Sequence, residues 1–136
     1  MLQEMTVDAT VENIRTVTEF VDGILEASDC PMKAQMQIDI AIDELFGNIA
    51  RYAYGDAVGQ ATMRAGYSPE DGAFTMVLID RGMPYDPLAK SDPDVTLAAE
   101  DRPIGGLGVY MVKKTMDDIQ YAYEDGQNIL TVTKKY

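Results

Sequence analysis

Residues 73–87 read Ala73-Phe74-Thr75-Met76-Val77-Leu78-Ile79-Asp80-Arg81-Gly82-Met83-Pro84-Tyr85-Asp86-Pro87. The first seven form a mainly apolar run with β-branched residues, bounded by turn signals, as expected of a buried strand. An acid then stands at the strand mouth, followed by a glycine and two prolines. Upstream, Gln60–Tyr67 reads as a second strand. Ser68-Pro69-Glu70-Asp71-Gly72 between the two has the residues of a hairpin turn.

Working outward towards the N-terminus, Ile38, Ala41, Ile42, Leu45 and Ile49 recur at helical spacing and predict a helix over 32–53, ended by Gly55. Val11, Ile14, Val17, Val21, Ile24 and Leu25 predict another over 11–27, with Thr10 as N-cap and Asp29-Cys30-Pro31 as its stop. Leu2–Val7 alternates and reads as a short strand. Towards the C-terminus, residues 81–103 hold four of the six prolines and an acidic cluster (Asp92, Asp94, Glu100, Asp101), and read as a long loop. Gly108–Met116 reads as a third helix. Ile119–Tyr123 and Ile129–Lys134 read as a closing hairpin around Asp125-Gly126-Gln127-Asn128. The order β-α-α-β-β-loop-α-β-β predicts one α+β domain over residues 1–136, a two-layer sandwich with helices on one face of a mostly antiparallel sheet.

The chain has 136 residues, 11 Lys plus Arg against 23 Asp plus Glu, and a net charge of −12. That balance argues against nucleic acid and against an anionic membrane surface, both of which need a basic footprint. There is no histidine, which excludes His-based acid/base chemistry and His-ligated zinc. Cys30 is the single cysteine, so no intrachain disulfide forms, and a reducing cytoplasmic setting is expected. The N-terminus lacks the basic and apolar regions of a signal peptide, and no apolar run is long enough to span a membrane.

Three constellations bear on chemistry. Glu44 and Asn48 stand four residues apart and share a helix face beside the apolar stripe. An Asn there needs a partner, and its side-chain oxygen suits Mg²⁺, while Glu44 suits a general base. Asp80 at a strand mouth can accept a hydrogen bond from an exocyclic amine, and Gly82 permits close backbone approach. Gly105-Gly106-Leu107-Gly108 opens a helix, whose N–H groups and positive dipole end suit phosphate. It is neither a Walker loop nor the dinucleotide fingerprint, because Met111 stands where the third glycine belongs. Taken singly, each has a plainer explanation: a half-exposed helix, an ordinary strand end, a glycine-rich turn.

Together, in this order and on these elements, they resemble the Bergerat-fold ATPases of the GHKL superfamily. More narrowly, the chain is similar to bacterial anti-sigma regulatory factors that are serine/threonine kinases. Glu44 through Asn48 to Tyr54 matches the family's N-box, Asp80 through Pro87 its G1 box, and Gly105 through Tyr110 with Val112-Lys113-Lys114 its G2 box. Asn128-Ile129-Leu130-Thr131 matches its terminal strand. The resemblance implies ATP and Mg²⁺ as cofactors, with Glu44 as general base and Asn48 on the metal. It implies that Asp80 recognises adenine with Thr131 in support, that Gly82 lies against the base, and that Gly106 and Gly108 meet the phosphates. Residues 88–104 would be the ATP lid. The implied partners are a sigma factor and a small STAS-domain antagonist, which is phosphorylated on Ser or Thr, and the implied state is a homodimer.

One departure bears on activity. Tyr52 stands where family members often have His. A nucleotide-dependent regulatory module without productive phosphotransfer is therefore the alternative to a kinase, and a degenerate interaction domain without ATP is a third reading. Of the nine methionines most are expected in the core, Met111 and Met116 against the sheet. Lys113 and Lys114 suit either phosphates or a solvated helix face.

Overall fold

In the computed structural model residues 2–89 and 107–136 are described. Five strands form one antiparallel sheet: β1 (Gln3–Asp8), β2 (Gln60–Ser68), β3 (Ala73–Asp80), β4 (Asp118–Glu124) and β5 (Gln127–Lys135), in the order β1-β2-β3-β5-β4. Three helices, α1 (Ile14–Ala27), α2 (Met32–Asn48) and α3 (Leu107–Thr115), make the second layer. The α+β class, the element order and the one-sided helix layer are those read from the sequence.

Alternation along the strands sorts side chains into two faces. Met76, Leu78, Leu130 and Val132 point to the helices and are buried with Phe46, Ile38, Leu45, Val17 and Val21. Fully burying one such Leu, Phe or Val contributes about 1.5–3 kcal/mol. The other face carries cross-strand polar pairs instead: Glu4 with Arg64 at 2.7 Å and Thr6 with Thr62 at 2.9 Å. Between β4 and β5 the turn is two residues, Asp125 and Gly126, both with positive φ (54° and 76°). That conformation twists a hairpin the right way and suits Asp-Gly.

Two details differ from expectation. The segment Val11–Asn13 is a 3₁₀ turn ahead of α1, so Val11 is exposed rather than part of the stripe. Met111 is 48% exposed, because Val109 and Val112 take the buried face of α3; Met116 is buried with Met63 and Met76, whereas Met32, Met36 and Met83 are also exposed, so most of the described methionines lie outside the core.

Asp22 on α1 and Asp39 on α2 meet as a hydrogen-bonded pair, and each keeps a buried Oδ1 without a partner. Burial pushes Asp39 up to about 7; the bond to Asp22 and the charges of Asp22 and Glu26 add to this. The folded state therefore holds a proton that the unfolded chain releases near 3.8. Stability from this site is full below the unfolded value and falls as pH rises through the folded one. An Asp39→Asn variant is expected to melt higher than wild type at about pH 8 and close to wild type at about pH 4. Thermal melts at the two pH values check this; equal shifts at both would assign the titration elsewhere.

Candidate functional site

Helix α2 does not stop at Asn48. It continues as a π-helical segment, Ile49–Ala53. Such wide turns are rare and are frequent at functional sites. The segment brings α2 against the C-terminal end of β3, where Met83 N–H donates to Ala53 O at 2.9 Å. Tyr54 ties the same corner, its hydroxyl donating to Gln60 O at 2.5 Å and accepting from Arg81 N–H at 2.9 Å.

Between α2 and the ends of β3, β4 and β5 lies a cleft enclosing about 690 Å³ of empty space, part of it open to solvent. Its walls are mainly apolar: Leu45, Ile49, Leu78 and Leu130 below, Met83, Pro84 and Pro87 at the side. Asn48, Asp80, Asn128, Tyr52 and Tyr121 are the polar residues of its lining. Few convergent polar groups in an apolar cleft are the usual form of a small-molecule site.

Asp80 is 5% exposed, the last residue of β3, on the face shared with Leu78. Its Oδ1 accepts hydrogen bonds from Gly82 N–H at 2.9 Å and Asn128 Nδ2 at 3.0 Å. Register places Asn128 directly opposite it on β5. Oδ2 has no hydrogen bond to any described residue. Glu44, one turn before Asn48, packs against the start of α3: a Cβ at Gly108 would be driven into the Glu44 carboxyl group. The N-box acid and the second helix-opening glycine are thus in contact, although 64 positions apart. Asn48 lines the cleft with no hydrogen bond to a described residue.

The model of the family described as histidine kinase-like ATPase domain matches residues 7–134. The chain belongs to the histidine kinase-like ATPase domain family. It is similar to the serine-protein kinase RsbW of Bacillus mycoides (strain KBAB4), 30% identical over 131 residues that cover 93% of this chain and 81% of that protein. The RsbW of Bacillus cereus (strain AH187) is 30% identical, and that of Bacillus anthracis (strain CDC 684 / NRRL 3495) 27%, over the same shares. Among solved structures, the RsbU and RsbW domains of Rv1364c from Mycobacterium tuberculosis align with a TM-score of 0.70 at 20% identity. That alignment covers 99% of this chain and 32% of the other, and shows the shared fold.

Within this histidine kinase-like ATPase domain the expected site residues fare differently. Glu44 meets Gly108, and Asn48 and Asp80 line the neighbouring cleft. Gly106 lies outside the described residues, as does all of the 88–104 lid beyond its first two residues. Thr131 is a correction. It is one residue out of phase with Leu130 and Val132, pairs with Val77 and Gln120, and faces the sheet's other side, away from the cleft. Asn128 occupies the position beside Asp80 instead. Gly82 makes its close backbone approach to Ala53, whose carbonyl a Cβ would strike.

Asn128 was missed as a site residue because it reads as part of the closing turn. The signal that finds it is phase: it alternates with Leu130 and Val132, and an asparagine on a buried strand face needs partners. Lys114 Nζ lies over the Tyr110 ring, 5.5 Å from its centre. No helix among the described residues is long and apolar enough to cross a membrane.

Proposed function

We propose that this chain is a cytoplasmic anti-sigma regulator that binds ATP with Mg²⁺ and transfers the γ-phosphoryl group to a serine or threonine of a small STAS-domain antagonist, and/or sequesters a sigma factor. The single observation that carries this reading is the meeting of Glu44 with Gly108 beside the Asn48 and Asp80 cleft. An adenine-sized ring suits the apolar walls, with Asp80 Oδ2 as acceptor for its amine. The phosphates would then extend past Asn48 towards the start of α3, whose N–H groups and dipole favour anions. On a chain of net charge −12, that local field must be supplemented by a cation.

Among the described residues no group of three or more His, Cys, Asp or Glu could hold a metal. Magnesium fits nonetheless, since it is commonly held by one or two protein oxygens with water and substrate phosphates completing the shell. The Asn48 side-chain oxygen would hold it, and when bound it would neutralise phosphate charge. Glu44 would accept the proton of the acceptor hydroxyl, in a transfer governed mainly by positioning and electrostatics. The relatives are named serine-protein kinases, which favours transfer over mere binding. A homodimer is proposed on the family resemblance alone.

The test is a calorimetric titration of ATP with Mg²⁺ and with EDTA, followed by transfer of labelled γ-phosphate to a STAS-domain protein. Binding that collapses in EDTA, with label on a serine or threonine, is the expected result. Binding without transfer to any partner would favour the regulatory module. No binding by the folded protein would overturn the nucleotide reading.

A further inference from the structure

The side-chain amide of Asn128, 6% exposed, is fully engaged. Its Nδ2 donates to Asp80 Oδ1 at 3.0 Å, to Met83 O at 3.0 Å and, more weakly, to Gly82 O at 3.4 Å. Its Oδ1 accepts from the Tyr121 hydroxyl at 2.5 Å and from Tyr85 N–H at 3.1 Å. A backbone N–H can only donate and a backbone carbonyl can only accept. The Met83 and Gly82 carbonyls therefore require the NH₂ on their side, and the amide oxygen is left on the other, where Tyr85 N–H, which also reaches the Tyr121 hydroxyl oxygen, donates to it. The amide has one permitted orientation, and in it the NH₂ faces Asp80.

That orientation propagates to the cleft. Asp80 Oδ1 receives two donors, from Asn128 and from Gly82 N–H. A carboxylate oxygen accepts both. Oδ2 remains for whatever enters the cleft. Burial pushes the Tyr121 hydroxyl up against the opposing pull of Tyr85 N–H, and the Asp86 and Asp80 charges add to the rise, so it stays protonated and keeps donating.

We propose that Asn128, oriented by the Tyr121 hydroxyl and Tyr85 N–H, is the positioning residue that sets the hydrogen-bond polarity of Asp80, and that this relay makes the cleft select a purine bearing an amine at the six-position over one bearing a carbonyl there. The proposal rests on the nucleotide reading above and deepens it. An amine meets the Oδ2 acceptor. A carbonyl meets it acceptor to acceptor, and leaves a buried charged oxygen unpaired, the arrangement that discriminates most strongly. Without Asn128, Asp80 Oδ1 loses one of its two donors and the Gly82 and Met83 carbonyls lose theirs, so the carboxyl group is free to turn.

ATP and inosine triphosphate differ at the six-position, and titrating both into the wild type, Asn128→Ala and Tyr121→Phe tests the proposal. The wild type is expected to prefer ATP. Asn128→Ala should lower the ATP-to-inosine-triphosphate affinity ratio by about tenfold and Tyr121→Phe by about threefold, the scale of one lost hydrogen bond or less. A merely structural role would weaken both nucleotides alike and leave the ratio unchanged, which would overturn the relay while leaving the nucleotide reading intact. Should Asn128→Ala fail to fold, judged by circular dichroism, Tyr121→Phe decides: it removes a single hydroxyl, and an unchanged ratio there overturns the proposal. A wild type that binds neither triphosphate overturns the parent reading and the relay with it.

Discussion

An Asp80→Asn variant is expected to fold and to lose ATP affinity by about 100-fold or more. The two donors at Asp80 Oδ1, Gly82 N–H and Asn128 Nδ2, oblige the new amide to keep its oxygen on their side. Its NH₂ must then stand where Oδ2 was. The substitution is nearly isosteric, so the corner at the end of β3 is kept. What changes is the sign of the group facing the cleft: an acceptor becomes a donor. An exocyclic amine brought to it meets donor against donor. The loss combines a hydrogen bond to a charged acceptor, about 1.5–3 kcal/mol, with the cost of leaving a buried donor unpaired, about 1–3 kcal/mol. Calorimetric titration of ATP, with a melting curve to confirm folding, measures it. Affinity at the wild-type level would remove Asp80 from recognition, and the nucleotide would have to be placed elsewhere.

A Glu44→Ala variant is expected to bind ATP within a few-fold of wild type and to lose phosphotransfer by about 10²–10⁴-fold. The split follows from position. Glu44 sits at the start of α3 against Gly108, away from the Asp80 end of the cleft where the base would lie. Removing its carboxyl group withdraws a negative charge from the phosphate end, which does not weaken binding of an anion. The proton of the acceptor hydroxyl then has no base. Single-turnover transfer of labelled phosphate, read beside the binding isotherm, separates the two quantities. Transfer at the wild-type rate would show that Glu44 is a packing partner of Gly108 and that the base is another residue.

Most of the fold was legible because local signals agreed. The apolar run ending at Asp80, the Asp-Gly turn at 125–126 and the 3.6-residue stripe from Ile38 to Ile49 each specify one element with little competition. The Glu44, Asn48 and Asp80 members of the site were legible for the same reason, since each sits at a fixed place on its element. Thr131 and Asn128 show where that reading stops. Counting Asp125 through Asn128 as the turn starts the last strand at Ile129 and leaves open which of its residues face the helices. The two-residue turn pairs Glu124 with Gln127 and makes Asn128 the partner of Asp80. A shift of one residue exchanges the two faces of a strand.

Gly82 shows the same limit at close range. A glycine after Asp80 announces that something approaches the backbone, and only the packed structure shows that it is Ala53 at the end of the π-helical segment. From the sequence alone came the element order, the core stripe of α2, the acidity that demands a cation near any bound phosphate, and Glu44, Asn48 and Asp80 as candidates. The tertiary structure alone decided that Glu44 meets Gly108, that Asn128 rather than Thr131 stands beside Asp80, and how the Asn128 amide is turned. The first set depends on interactions within a few residues. The second depends on strand register and helix packing between residues tens of positions apart, where a single residue's slip changes which atoms meet.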